Sequence, residues 1–204
     1  MHKEILTPAQ IDLLPFIAEF RKNFGLVGGT AIALHIGHRE SIDFDMFSPV
    51  EFSNAKVRNV FARVGKKFDR VFRDEKGQFT FVVGGVQMTF FHYPFPVEYS
   101  ENFEKVARMP TLLTLAAMKA FALGRRAKWK DYVDLYFIMR DFHPLSDIVE
   151  KTEYIFGTEF NAKLLREQLS YFDDIDYSDA VAFKPGFEVP DNEIKKSLTE
   201  WSLA

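Results

Sequence analysis

The stretch Val27–Phe47, VGGTAIALHIGHRESIDFDMF, decides how this chain is read. A short apolar run, Phe24 to Val27, ends at Gly28-Gly29. Thr30 then stands where a helix N-cap is expected, followed by the apolar segment Ala31–Ile36. The turn Gly37–Ser41 leads into Ile42–Phe47, where Ile42, Phe44 and Met46 alternate with Ser41, Asp43 and Asp45. Period two is the signature of a strand. The expectation is strand, glycine turn, short helix, strand, with Asp43 and Asp45 on one face of the second strand. Two carboxylates side by side in apolar surroundings repel each other unless a cation sits between them. Such a pair suits a hard divalent ion; a bare Asp-x-Asp also occurs on a solvated edge strand.

The glycines sharpen that choice. A Gly-Gly turn entering a helix lets backbone N–H groups approach a phosphate at the positive helix end. One strand–helix–strand unit would then bring a phosphate cradle and a metal site together. Arg39 and Ser41 lie just ahead of the acids, where a guanidinium can hold phosphate oxygens or balance the carboxylates. His35 and His38 have the spacing of a helical metal pair but no third ligand, and are read as packing or surface residues.

Working outward, Thr7 to Asn23 reads as an amphipathic helix burying Ile11, Leu14, Phe16 and Phe20. Ser53 is expected to cap another helix, with Val57, Val60, Phe61 and Val64 on one face. Asp69–Arg73, Gln78–Val83 and Val86–Tyr93 alternate and are separated by glycine turns, which predicts an antiparallel meander. From Thr111 onward TLLTLAAMKAFALG, WKDYVDLYFIMRDF, TEFNAKLLREQLSYF and NEIKKSLTEWSLA are helical. YPFPVEYSENFEKVARMP joins the two halves. Lys119 is the one charge between Thr111 and Leu123; it either snorkels to water or aims its ammonium at a triphosphate. Asp131 and Asp134 share one side of the next helix, and Asp134 sits among apolar residues, so it needs a defined partner. Lys119 is the expected one.

Composition narrows the class. The 204 residues, 47% of them hydrophobic and 27% charged, favour one compact domain or two small lobes over disorder. The 23 phenylalanines predict an aromatic core. With no cysteine, disulfides, thiolate metal sites and thiol nucleophiles are excluded. A net charge of −3 leaves nucleic-acid binding to a local patch, such as Arg58, Arg63, Lys66, Lys67 and Arg70, or Arg125, Arg126, Lys128 and Lys130. No run approaches the roughly 20 apolar residues of a membrane span, so a cytoplasmic protein is expected.

Taken together, GGTAIALHIGHRESIDFDMF, AAMKAFAL and KWKDYVDLYFIM resemble the AbiEii-like nucleotidyltransferase family, described as the toxins of type IV toxin–antitoxin pairs. LSYFDDIDYSDA is similar to that family's C-terminal region, so the resemblance spans nearly the whole chain. It implies an α+β fold of the polymerase-β-like superfamily. A catalytic lobe with a mixed or antiparallel sheet, residues 1–100, would precede a helical lobe, residues 101–204. It also implies transfer of a nucleotidyl group from an NTP with Mg²⁺, or Mn²⁺ in its place. Gly28, Gly29 and Thr30 would form the phosphate loop, with Arg39 and Ser41 matching the family's Arg-x-Ser. Asp43 and Asp45 would hold the metal, Lys119 would contact the triphosphate, and Asp131 or Asp134 would be the further acid. The wider superfamily often carries a third carboxylate on a following strand; VQMTFFHYP offers Gln87 and Thr89 instead. The expected acceptor is RNA, at a tRNA 3′ end, and the expected partner a cognate antitoxin. The alternatives are a protein hydroxyl as acceptor and a catalytically idle NTP-binding module.

Overall fold

The computed structural model describes residues 1–203. Among them are seven strands and eight α-helices, in two compact units. The first unit comprises residues 1–36 and 41–111, the second residues 37–40 and 112–203.

The first unit opens with a 3-10 turn, Lys3–Ile5, and α1, Pro8–Phe20. Then come β1 (Gly25–Val27), α2 (Gly28–Ile36) and β2 (Phe44–Ser48). They are followed by α3 (Asn54–Arg63), β3 (Arg70–Glu75), β4 (Gln78–Val83), β5 (Val86–His92), β6 (Glu101–Phe103) and β7 (Ala107–Met109). The sheet order is β3-β4-β5-β2-β1-β7-β6. β2 runs antiparallel to β1 and parallel to β5, so the sheet is mixed. The meander expected from the glycine spacing is present. Val83 pairs with Val86 across Gly84 and Gly85, whose φ angles of 57° and 77° supply the left-handed pair a two-residue hairpin requires.

One sheet face is apolar and aromatic. Phe90 meets Phe20 at 4.6 Å, Phe81 meets Phe61 at 5.3 Å, and Phe81 stacks on Phe90 at 6.1 Å, so α1 and α3 cover this face with rings. Two details of the helix expectations change. α1 buries Leu13, Leu14, Ile17 and Phe20, leaving Ile11 exposed; α3 buries Val57 and Phe61, leaving Val64 exposed. β2 begins at Phe44, later than expected, and Ile42 stands 53% exposed. The hairpin β6–β7 lies within the segment read as a linker, its strands too short to show alternation. β7 pairs with β1, and the first compact unit runs to Thr111.

The second unit is helical: α4 (Leu112–Leu123), α5 (Trp129–Asp141), α6 (Leu145–Phe156), α7 (Ala162–Leu169) and α8 (Asp191–Leu203). Four of these match the expected segments. α6 is not among the expected segments, although Leu145, Ile148, Thr152, Ile155 and Phe156 recur at helical spacing. Burial of Ile148, Thr152, Ile155 and Phe156 along one face stabilises it. No helix is long and apolar enough to cross a membrane, among the described residues.

Candidate active site

The site in the first unit is built on the turn from β1 into α2. Gly28 has φ 73°, a left-handed conformation in which a side chain is strained. The helix begins at this residue, so Thr30 lies inside it and is not the N-cap. A Cβ added to Gly28 would fall 2.2 Å from Asp45 Oδ2. The Asp45 carboxylate therefore lies directly against the Gly28 backbone, at the positive end of α2. Strand pairing puts it there, because Val27, the last residue of β1, is the partner of Asp45. Along this segment Asp43, Asp45 and Phe47 are half-buried, whereas Phe44, Met46 and Ser48 are buried. Gly28, Gly29 and Ser41 are also half-buried, so this corner is open to solvent.

Thr30 is buried and serves as a pin. Its hydroxyl donates to the Asp43 carbonyl and lies 2.9 Å from the Ser41 hydroxyl. A second pin comes from a residue that sequence reading passed over. Gln10 Nε2 donates to the Ser41 carbonyl at 2.8 Å, while its Oε1 accepts from the Thr7 amide at 3.0 Å. The Thr-x-x-Gln pattern of a capping box was the available signal. Together they hold the chain through Ser41 and Asp43 beside the glycine turn.

This corner fits a magnesium-type ion. It offers the Asp45 carboxylate against a backbone cradle that only glycine permits, with half-buried Asp43 two positions earlier, just outside β2 and not on the strand as expected. Among the described residues no group of three or more His, Cys, Asp or Glu is arranged to hold a metal. Zinc prefers three or four protein ligands, whereas Mg²⁺ takes one or two carboxylates and completes its shell with water and phosphate oxygens. On the neighbouring strand the residue opposite Asp45 is Thr89, so no third carboxylate stands in that register position. A hollow of about 830 Å³ in this unit lies elsewhere, around Phe24, Phe52 and Tyr99, and includes none of these residues.

The second unit holds the other expected residues in one buried ionic cluster. Asp134 accepts from Arg39 Nε at 2.7 Å, Arg39 Nη2 at 2.9 Å and His38 Nε2 at 2.8 Å, and Lys119 Nζ lies 3.1 Å from its second oxygen. The expected Lys119–Asp134 ion pair is present, but Arg39 and His38 share the carboxylate. Lys119 also donates to Asp131, whose other oxygen accepts from Arg126 at 3.0 Å. Burial by itself would raise the Asp134 carboxyl, but Arg39 and Lys119 outweigh it and hold the group well below the usual carboxylate range. Asp131 is lowered in the same way, burial again opposed by Lys119 and Arg126. Lys119 is raised: its two carboxylates overcome a desolvation that would lower it.

His38 is wholly buried, and desolvation lowers it despite Asp134. Its Nδ1 has no hydrogen-bond partner, which fits a neutral ring carrying its proton on Nε2. His38 is thus a core partner of Asp134. His35 belongs to the first unit, where its ring nitrogen meets the Pro110 carbonyl at 3.2 Å.

The family model described as nucleotidyl transferase AbiEii toxin, type IV TA system, matches residues 16–102, which include the whole glycine–aspartate corner. The uncharacterized protein aq_aa25 of Aquifex aeolicus (strain VF5) is 30% identical over 192 residues, covering 88% of each chain. JHP933 from Helicobacter pylori is similar in fold, with a TM-score of 0.63 at 15% identity over 99% of this chain and 89% of that one. So is the nucleotidyltransferase toxin MenT4 from Mycobacterium tuberculosis H37Rv, with a TM-score of 0.63 at 13% identity over 95% of this chain and 81% of that one. With the matched segment falling on the acids and the glycine turn, the chain belongs to the AbiEii nucleotidyltransferase family, toxin enzymes of type IV toxin–antitoxin systems.

Proposed function

We propose that this nucleotidyltransferase moves a nucleotidyl group from a nucleoside triphosphate to a hydroxyl of an RNA acceptor, using Mg²⁺ held by Asp43 and Asp45. The observation that carries the reading is the Asp45 carboxylate set against the Gly28 backbone at the first turn of α2. In this reading Gly28 and Gly29 present backbone amides to the phosphates, and the Ser41 hydroxyl adds a polar contact beside them. Thr30 and Gln10 do not bind nucleotide themselves; they hold Ser41 and Asp43 in place. Mg²⁺, or Mn²⁺ in its stead, would offset the negative charge of the phosphates and of the departing pyrophosphate.

The acceptor hydroxyl oxygen forms a bond to the α-phosphorus as the bond to pyrophosphate breaks. The family resemblance assigns Lys119 to the triphosphate and a helical-unit aspartate to the hydroxyl proton. That aspartate is Asp131 or Asp134, both of them ion-paired with Lys119. Arg39 in this structure is engaged by Asp134 within the second unit. A cognate antitoxin and a cytoplasmic setting belong to the same proposal.

The test is incubation with labelled NTP, Mg²⁺ and total RNA. In Asp45→Asn, with circular dichroism unchanged, label transfer should fall roughly 100-fold or more, the scale of losing a few kcal/mol of charge stabilisation. Undiminished transfer would remove Asp45 from the metal site.

A further inference from the structure

The sheet face opposite the aromatic one carries a row that runs outward from the candidate acid, half-buried at Asp45 and Thr89, buried at Thr80 and exposed at Arg73. Strand registers pair Asp45 with Thr89, Thr89 with Thr80, and Thr80 with Arg73. Paired positions point to the same face. One line of side chains therefore crosses β2, β5, β4 and β3, ending at the sheet edge. Three strand spacings separate its ends, roughly 14 Å. The outer part of the line is already hydrogen-bonded together. Arg73 donates to Gln78 Oε1 at 3.1 Å, and Gln78 Nε2 meets the Thr80 hydroxyl at 3.3 Å.

The segment leading into that edge strand is rich in bases, while β3 itself carries Arg70, Arg73, Asp74 and Glu75. From Asn54 to Glu75, the end of β3, seven of the ten charged residues are Lys or Arg, in a chain whose 29 acids outnumber its 26 bases. Some of these cations are compensated: Arg58 by Asp74 at 2.5 Å, Arg63 by Glu19 at 3.3 Å, Arg73 by Glu75 at 3.8 Å. Lys66, Lys67 and Arg70 have no such acidic partner among the described residues and are exposed. Arg70 lies 4.5 Å over the ring of Phe72, itself 51% exposed on the edge strand. Charges on an edge strand also guard it against pairing with another strand. That protection needs no excess of one sign, so the three cations left without an acid, Lys66, Lys67 and Arg70, suit a polyanion.

We infer that this row and edge form the acceptor track, along which the phosphodiester backbone of a polynucleotide runs from the reacting hydroxyl to β3. The inference rests on the proposed transfer to RNA and adds where the acceptor lies. Half-buried Thr89 offers its hydroxyl to phosphate or sugar oxygens, while buried Thr80 ties Gln78 into the row. Lys66, Lys67 and Arg70 neutralise phosphates, and Phe72 provides a stacking surface for a base.

The experiment uses the whole protein with Lys66→Glu, Lys67→Glu and Arg70→Glu combined, and separately Phe72→Ala. Filter binding of a labelled single-stranded oligoribonucleotide is measured over a salt series, and label transfer to an unfractionated tRNA pool alongside it. Calorimetric NTP affinity, expected at the wild-type value, reports that the variants fold. The triple variant should bind at least tenfold more weakly. Its salt slope should shrink by about 2, since each single-strand phosphate contact contributes about 0.7. Phe72→Ala should lose about fivefold or more with the slope unchanged. If the wild type labels RNA and the triple variant matches it in affinity and slope, the track is wrong and the transfer reading stands. If the wild type labels only protein, both fall.

Discussion

At Gly28 two constraints coincide. Its φ of 73° is costly for any side chain, and the Asp45 carboxylate occupies the space a Cβ would take. The backbone strain in Gly28→Ala costs about 1–2 kcal/mol. The carboxylate, being the end of a rotatable side chain, would swing aside to relieve the clash. The expected outcome is a protein that folds with a modestly lowered denaturation midpoint but loses label transfer far beyond that. A Gly28→Ala protein transferring at the wild-type rate would show that the contact has no part in the reaction. The glycine pair and the acids were legible from residue order. Their mutual contact was not, because it follows from β1 pairing with β2.

At the scale of elements, the N-terminal turn of α1 does two jobs with one side chain. Gln10 closes the capping box with Thr7 through Oε1, and its Nε2 reaches 31 positions along the chain to the Ser41 carbonyl. Gln10→Glu separates these jobs. A carboxylate still accepts from the Thr7 amide, but it has no hydrogen to give Ser41 and sets like partial charges together. The helix should persist by circular dichroism, stability should fall by about 1–3 kcal/mol, and transfer should fall with it. Full activity in Gln10→Glu would mean that Thr30 alone suffices to hold the loop. The elements themselves were mostly readable, since period two, period 3.6 and glycine turns are local signals. β6 and β7 were too short to show a period, whereas α6 does carry one, in Leu145, Ile148, Thr152, Ile155 and Phe156.

At the scale of the whole molecule, stability should depend on pH through the cluster around Asp134. His38 titrates below its ordinary value in the native state, so the unfolded chain binds the proton first. Stability is then lost as pH falls below about 6.5, the unfolded histidine value. Asp134 and Asp131 are depressed as well, so their contribution is complete above the unfolded value of about 4 and disappears below it. Denaturant unfolding at a series of pH values should show a shallow decline below 6.5 and a steeper one below 4. Asp134→Asn should flatten the acid limb while costing about 3–5 kcal/mol at neutral pH, because Arg39 and Lys119 would keep their charges in a buried place. A native protein equally stable at pH 4 and pH 7 would contradict this account. What the sequence determined by itself was local: the strand–glycine–helix–strand unit, the hairpins, the helical second half and the paired acids. Each is written in periodicity or in a residue type that only one backbone conformation suits. What only tertiary structure decided were the partnerships. Thr30 became a pin instead of a cap, Asp134 met Arg39 from 95 positions away, and Asp45, Thr89, Thr80 and Arg73 fell into line. Those depend on strand register and on buried charges finding opposite charges, which residue order alone does not encode.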